Sequence, residues 1–73
     1  MAMVEVRSEI AGAVWKIVVK VGDTVAEDDT LIILESMKME IPLTATEDGV
    51  VAEIRVAENA PIAEGDVAVI LRT

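Results

Sequence analysis

Glu35-Ser36-Met37-Lys38-Met39-Glu40-Ile41-Pro42 gathers one primary amine, two thioethers and two carboxylates near the middle of a 73-residue chain. The amine is the one group there whose chemistry is not shared by its neighbours: an exposed lysine is a nucleophile that another enzyme can acylate. Taken alone, Met37-Lys38-Met39 also reads as ordinary surface charge with two methionines folded back onto the protein. Its setting argues otherwise. A shift of 37 positions lays Gly12–Leu34 on Gly49–Leu71, with identities at Gly12/Gly49, Val14/Val51, Ile17/Ile54, Val19/Val56, Ala26/Ala63, Glu27/Glu64, Asp29/Asp66, Ile33/Ile70 and Leu34/Leu71. The lysine segment is the singular joint between two copies of one unit, which suggests a symmetric scaffold presenting one special feature.

The rest of the inventory narrows the chemistry. The chain has no cysteine and no histidine. Thiolate nucleophiles, disulfides and zinc–thiolate sites are excluded, and so is the commonest general base near neutral pH. The acidic residues, Glu27-Asp28-Asp29 among them, lack the spacing of a calcium loop and read as solvated turns; no metal site is expected. With Trp15 the only aromatic residue and a formal net charge of −8, there is no stacking platform for bases and a repulsion of phosphate backbones, so nucleic acid is not an expected ligand. No run of 18 apolar residues and no leader-like amino terminus is present, which predicts a cytoplasmic protein with no membrane contact.

The elements that must position Lys38 are strands. Val4, Val6, Ser8 and Ile10 alternate with charged residues, the period of a half-buried strand. Strands are predicted again over 14–21, 30–35, 39–44, 49–56 and 67–72, with short ones at 24–25 and 62–63. Pro42 places the 39–44 strand on an edge or at a position needing no amide donor. The apolar identities at 14, 17, 19 and 51, 54, 56 skip from a spacing of three to one of two, which predicts a β-bulge in each copy. Trp15 beside the first bulge is expected to pack in the core. Gly22 aligns with Asn59 and Asp28 with Gly65, all residues tolerant of positive φ, so both turns should be left-handed. Between 35 and 39 the chain must reverse in a tight hairpin that projects its tip, although the usual Asn-Gly is missing. Exposed methionines at such a tip gain nothing for folding and suit a recognition surface.

Glu35-Ser36-Met37-Lys38-Met39-Glu40 resembles the attachment signature of biotin carboxyl carrier domains, whose core is Met-Lys-Met. Gly12-x-Val14, Gly22-Asp23-x-Val25, Leu31-x-x-Leu34, Ala45, Gly49-x-Val51 and Gly65-Asp66 fall where such domains place them. The likeness covers nearly the whole chain and is closest to the small stand-alone biotin/lipoyl attachment proteins of bacteria. Asp28 and Asn59 depart from the family's usual glycines. The equal halves leave no room for the "thumb" loop of some members, so no thumb contact to biotin is expected.

The resemblance implies one carrier domain over residues 1–73. Its fold would be all-β, a flattened antiparallel barrel-sandwich hybrid of two quasi-two-fold-related halves, with the modified lysine on a tight hairpin. It implies that a biotin protein ligase joins Lys38 to biotin, taking the formal charge from −8 to −9 by removing one ammonium. Alkyl amines are protonated at neutral pH, so the ligase must accept a proton as well as activate the carboxylate. Met37 and Met39 would be read by the ligase, with Glu35 and Glu40 as further candidate contacts. The carrier, itself not an enzyme and expected to be a monomer, would move carboxyl groups between biotin carboxylase and carboxyltransferase components. Two alternatives stand beside this reading: a lipoyl carrier on the same scaffold, and an interaction module whose lysine stays unmodified.

Overall fold

The computed structural model describes residues 2–73, which form eight strands and no helix: β1 Met3–Arg7, β2 Gly12–Ile17, β3 Thr24–Val25, β4 Thr30–Ser36, β5 Met39–Thr44, β6 Gly49–Ile54, β7 Pro61–Ile62 and β8 Val67–Arg72. They make two four-stranded antiparallel sheets of order β1-β8-β6-β3 and β5-β4-β2-β7. The 37-residue shift converts β1, β2, β3 and β4 into β5, β6, β7 and β8, and thereby converts one sheet order into the other. The expected flattened sandwich of two equivalent halves is the observed fold. Pro42 lies in β5, an edge strand, where a missing N–H costs no ladder bond.

Inner-face residues of both sheets meet in one core that includes Val6, Val14, Leu31, Ile32, Leu34, Val51, Val69 and Leu71, all essentially inaccessible. Burying each such side chain contributes about 1.5–3 kcal/mol. The body that results is long and thin, 36 × 18 × 17 Å. Its strands are short because most connections change sheets. The expected strands 14–21 and 49–56 end early, at Ile17 and Ile54. One more amide bond follows in each, Val18 N–H to the Leu31 carbonyl at 3.0 Å and Arg55 N–H to the Ala68 carbonyl at 2.8 Å. The chain then leaves its sheet to reach the other.

Both bulges are present: register shifts between Val14 and Lys16 against β4, and between Val51 and Glu53 against β8. The extra residues are Trp15 and Ala52. The bulge corrects the placement of Trp15, which is 43% exposed. Val14 takes the inward position, and the unpaired residue after it is turned out of the core.

The turn expectations hold as well. Gly22 and Asn59 have φ of 99° and 69°, and Asp28 and Gly65 have 74° and 90°. Each donates its N–H across to the other half, Gly22 to Val51 and Asn59 to Val14 at 2.7 Å, Asp28 to Ala45 at 2.9 Å and Gly65 to Ser8 at 2.8 Å. Asp29 and Asp66, read from sequence as part of solvated turns, have a structural task. The Ala26 N–H donates to Asp29 Oδ2 at 2.9 Å and the Ala63 N–H to Asp66 Oδ2 at 2.8 Å. Asp29→Ala and Asp66→Ala should each cost about 1 kcal/mol. Because the turns share no partner, the double variant should lose close to the sum in urea unfolding.

Candidate functional site

Of the strand connections among the described residues, only β4–β5 joins neighbours of one sheet; each of the others crosses between sheets. The quasi-symmetric halves thus carry a single projecting hairpin. Its counterpart at the far end of the body is the pairing of the chain ends, Ala2 N–H to the Thr73 carbonyl at 3.1 Å and Thr73 N–H to the Ala2 carbonyl at 2.8 Å.

The hairpin register runs Leu34↔Ile41, Glu35↔Glu40 and Ser36↔Met39, leaving Met37 and Lys38 as a two-residue loop. Their φ angles are 53° and 65°, the conformation of a type I′ turn. That turn suits the twist of a hairpin but normally carries Asn-Gly, since side chains with a Cβ pay about 1–2 kcal/mol for left-handed backbone. A non-glycine pair held there marks a tip whose side chains matter more than its stability.

Lys38 at this tip is exposed, and Met37 and Met39 are 91% and 58% exposed. The two ion pairs among the described residues, Arg7–Glu5 and Arg55–Glu53, involve neither Lys38 nor the hairpin carboxylates. Its amine is therefore accessible and uncommitted. Glu35 and Glu40 sit directly opposite one another on the outer face, a like-charge cross-strand pair that opposes pairing instead of aiding it. All five residues singled out from sequence thus lie on one hairpin.

Sequence reasoning did not find what supports this hairpin. Gly12 lies against its base: a Cβ there would collide with the Glu35 carbonyl and come within 3.2 Å of the Ser36 Cβ. Ser36 Oγ donates to the Ala11 carbonyl at 3.1 Å, fastening the same strand end to the residue before Gly12. The signal was present in the Gly12/Gly49 identity, since a Cβ on Gly49 would likewise come within 2.8 Å of the Arg72 carbonyl oxygen. The tip therefore rests on a strand end fixed from below, with free side chains above.

Comparison with known proteins gives a consistent set of likenesses. The family model Biotin_lipoyl, described as biotin-requiring enzyme, matches residues 2–71. The biotin/lipoyl attachment protein of Bacillus subtilis is 46% identical over 59 residues, 81% of each chain. A biotinylated protein TB7.3 homolog of Mycobacterium leprae is 40% identical over 67 residues, 92% of this chain and 94% of its own. Among solved structures, the urea carboxylase of Kluyveromyces lactis superposes with a TM-score of 0.93 at 33% identity, over 99% of this chain but 6% of that one.

Proposed function

The chain belongs to the Biotin_lipoyl family, and from that premise we propose that it is a biotin carrier whose Lys38 is the attachment point. The observation that carries this reading is the uncommitted amine at a type I′ tip between two exposed methionines. A biotin protein ligase would form the amide between Lys38 Nζ and an activated acyl carbon. The nitrogen loses two protons, one as the ammonium becomes a nucleophilic amine and one as the amide forms, and the activating group departs with the electrons of its bond to carbon. This chain contributes position and accessibility to that step and takes no part in its acid–base chemistry.

The bound group supplies a ureido nitrogen that carries a carboxyl group between a biotin carboxylase and a carboxyltransferase. The protein's own contribution is delivery: a rigid tip limits the entropy lost on entering a partner's pocket, and residues 1–73 act as one non-catalytic carrier domain. Those partners would be further parts of a cytoplasmic carboxylase system, in line with the urea carboxylase of which this chain matches 6%. Met37 and Met39 would fill apolar sites on the ligase, with Glu35 and Glu40 at the rim.

Intact mass after co-expression with a biotin protein ligase should show one added biotinyl group, absent in Lys38→Arg. Modification by a lipoyl ligase alone would overturn the assignment, and no modification by either would support the unmodified interaction module. Met37→Asp combined with Met39→Ala should slow biotinylation about tenfold, the loss of roughly 1.4 kcal/mol of recognition, without lowering the melting temperature. Unchanged ligase kinetics would show that the methionines are not read.

A further inference from the structure

Edge strands β1 and β5 lie in different sheets, and a cleft of about 200 Å³ opens between them. Val6/Leu43, Arg7/Thr44 and Glu9/Thr46 on its walls are equivalent pairs, so the cleft straddles the pseudo-two-fold relation of the halves. Its remaining lining is one-sided. Ile10, Leu34, Ile41 and Pro42 belong to the hairpin half, while their equivalents Glu47, Leu71, Val4 and Glu5 do not line it. The asymmetry has a local cause. Buried Ser8 accepts the Ile10 N–H at 3.2 Å and donates its hydroxyl to the Ile10 carbonyl at 2.7 Å, fixing Ile10 at the cleft. The equivalent residue, Ala45, has no hydroxyl with which to do this.

We propose that this cleft holds the biotinyl arm of Lys38 at rest. The inference builds on the attachment reading above. From the Lys38 Cα to the fused rings the arm has about eleven bonds, a reach of roughly 13 Å at ~1.2 Å per bond. Along β5 that equals about four residues at ~3.3 Å each, the level of Pro42 in the cleft wall. A volume near seven waters, at ~30 Å³ each, suits a fused two-ring head group. The chemistry matches too. Ile10, Leu34 and Ile41 meet the methylene chain first. Beyond them stand the Glu9 carboxylate and the Thr44 and Thr46 hydroxyls, none of them hydrogen-bonded among the described residues. A cyclic urea offers two N–H donors for the carboxylate and a hydroxyl, and one carbonyl acceptor for the other hydroxyl. Arg7 takes no part, because its guanidinium already donates to the Gly65 carbonyl and to Glu5, each at 2.7 Å. Resting there, the arm is shielded from solvent for most of the time, and a partner that binds the free arm draws the equilibrium out of the cleft.

The test compares amide and methyl NMR spectra of the unmodified and biotinylated full chain. Shifts are expected at Ile10, Ile41, Leu43, Thr44 and Thr46 in addition to the tip. Exposed Glu9 and Thr46 can be changed without touching the core, and Glu9→Ala with Thr46→Ala should cancel those distant shifts. If the arm is free a third of the time, avidin should capture wild type about threefold more slowly than this double variant. Shifts confined to residues 37–40, with equal capture rates, would overturn the proposal. Absence of a mass gain with the ligase would instead refute the attachment reading. The cleft is then tested with Lys38→Cys alkylated by a biotin iodoacetamide, the sole thiol in a chain without cysteine. The same shifts would uphold the cleft, and their absence would reject it.

Discussion

Gly12→Ala is expected to lower the melting temperature by about 12–24 °C, the equivalent of roughly 3 kcal/mol in a domain of this size. The added methyl has nowhere to go, since the atom it meets is the backbone carbonyl of Glu35 and not the end of a flexible side chain. Either β2 separates from β4, or the strand end beneath the lysine hairpin shifts. Gly49→Ala repeats the insult at the opposite end of the body, against the Arg72 carbonyl, away from the lysine hairpin. The pair therefore separates stability from function. Both should melt early in thermal circular dichroism. At a temperature where both remain folded, Gly12→Ala should be labelled by the ligase several-fold more slowly than wild type, and Gly49→Ala at the wild-type rate. A Gly12→Ala protein that melts with wild type would mean that the clamp beneath the hairpin is not rigid.

The same glycine pair shows what a sequence discloses and what it leaves hidden. Repetition made the architecture readable. Gly22 opposite Asn59 and Asp28 opposite Gly65 share only tolerance of positive φ, so their alignment named a backbone conformation, and all four adopt it. The uneven spacing of Val14, Ile17 and Val19, repeated at 51, 54 and 56, likewise disclosed both bulges. Features that depend on how the sheets meet were not readable. Trp15 carries the composition of a core residue, but the bulge decides its direction, and a bulge seen in sequence does not say which neighbour it expels. Val18 and Val21 have strong strand propensity yet are 51% and 63% exposed, because the chain there is crossing between sheets. The candidate site divides the same way. Its hairpin residues are contiguous and visible; the Gly12 clamp and the cleft beside Ile10 are assembled from distant segments and appear only in three dimensions.

Replacing Met37-Lys38 with Asn-Gly is expected to raise the melting temperature by about 5–10 °C and to abolish biotin attachment entirely. The two tip residues hold φ of 53° and 65°, which Asn and Gly adopt at little cost. A scaffold selected only for stability would carry that pair at this turn. On the proposed carrier reading, the hairpin keeps backbone strain in order to present an amine between two thioethers. Single variants divide the effect. Lys38→Gly should recover part of the stability and lose all labelling, whereas Met37→Gly should recover a similar part, keep the amine, and lose only the recognition that Met37 supplies. Thermal melts together with ligase-dependent mass gain would measure both quantities on one set of proteins. If the Asn-Gly variant proves no more stable than wild type, the tip is not strained, and the methionine–lysine pair needs no functional reason to be there.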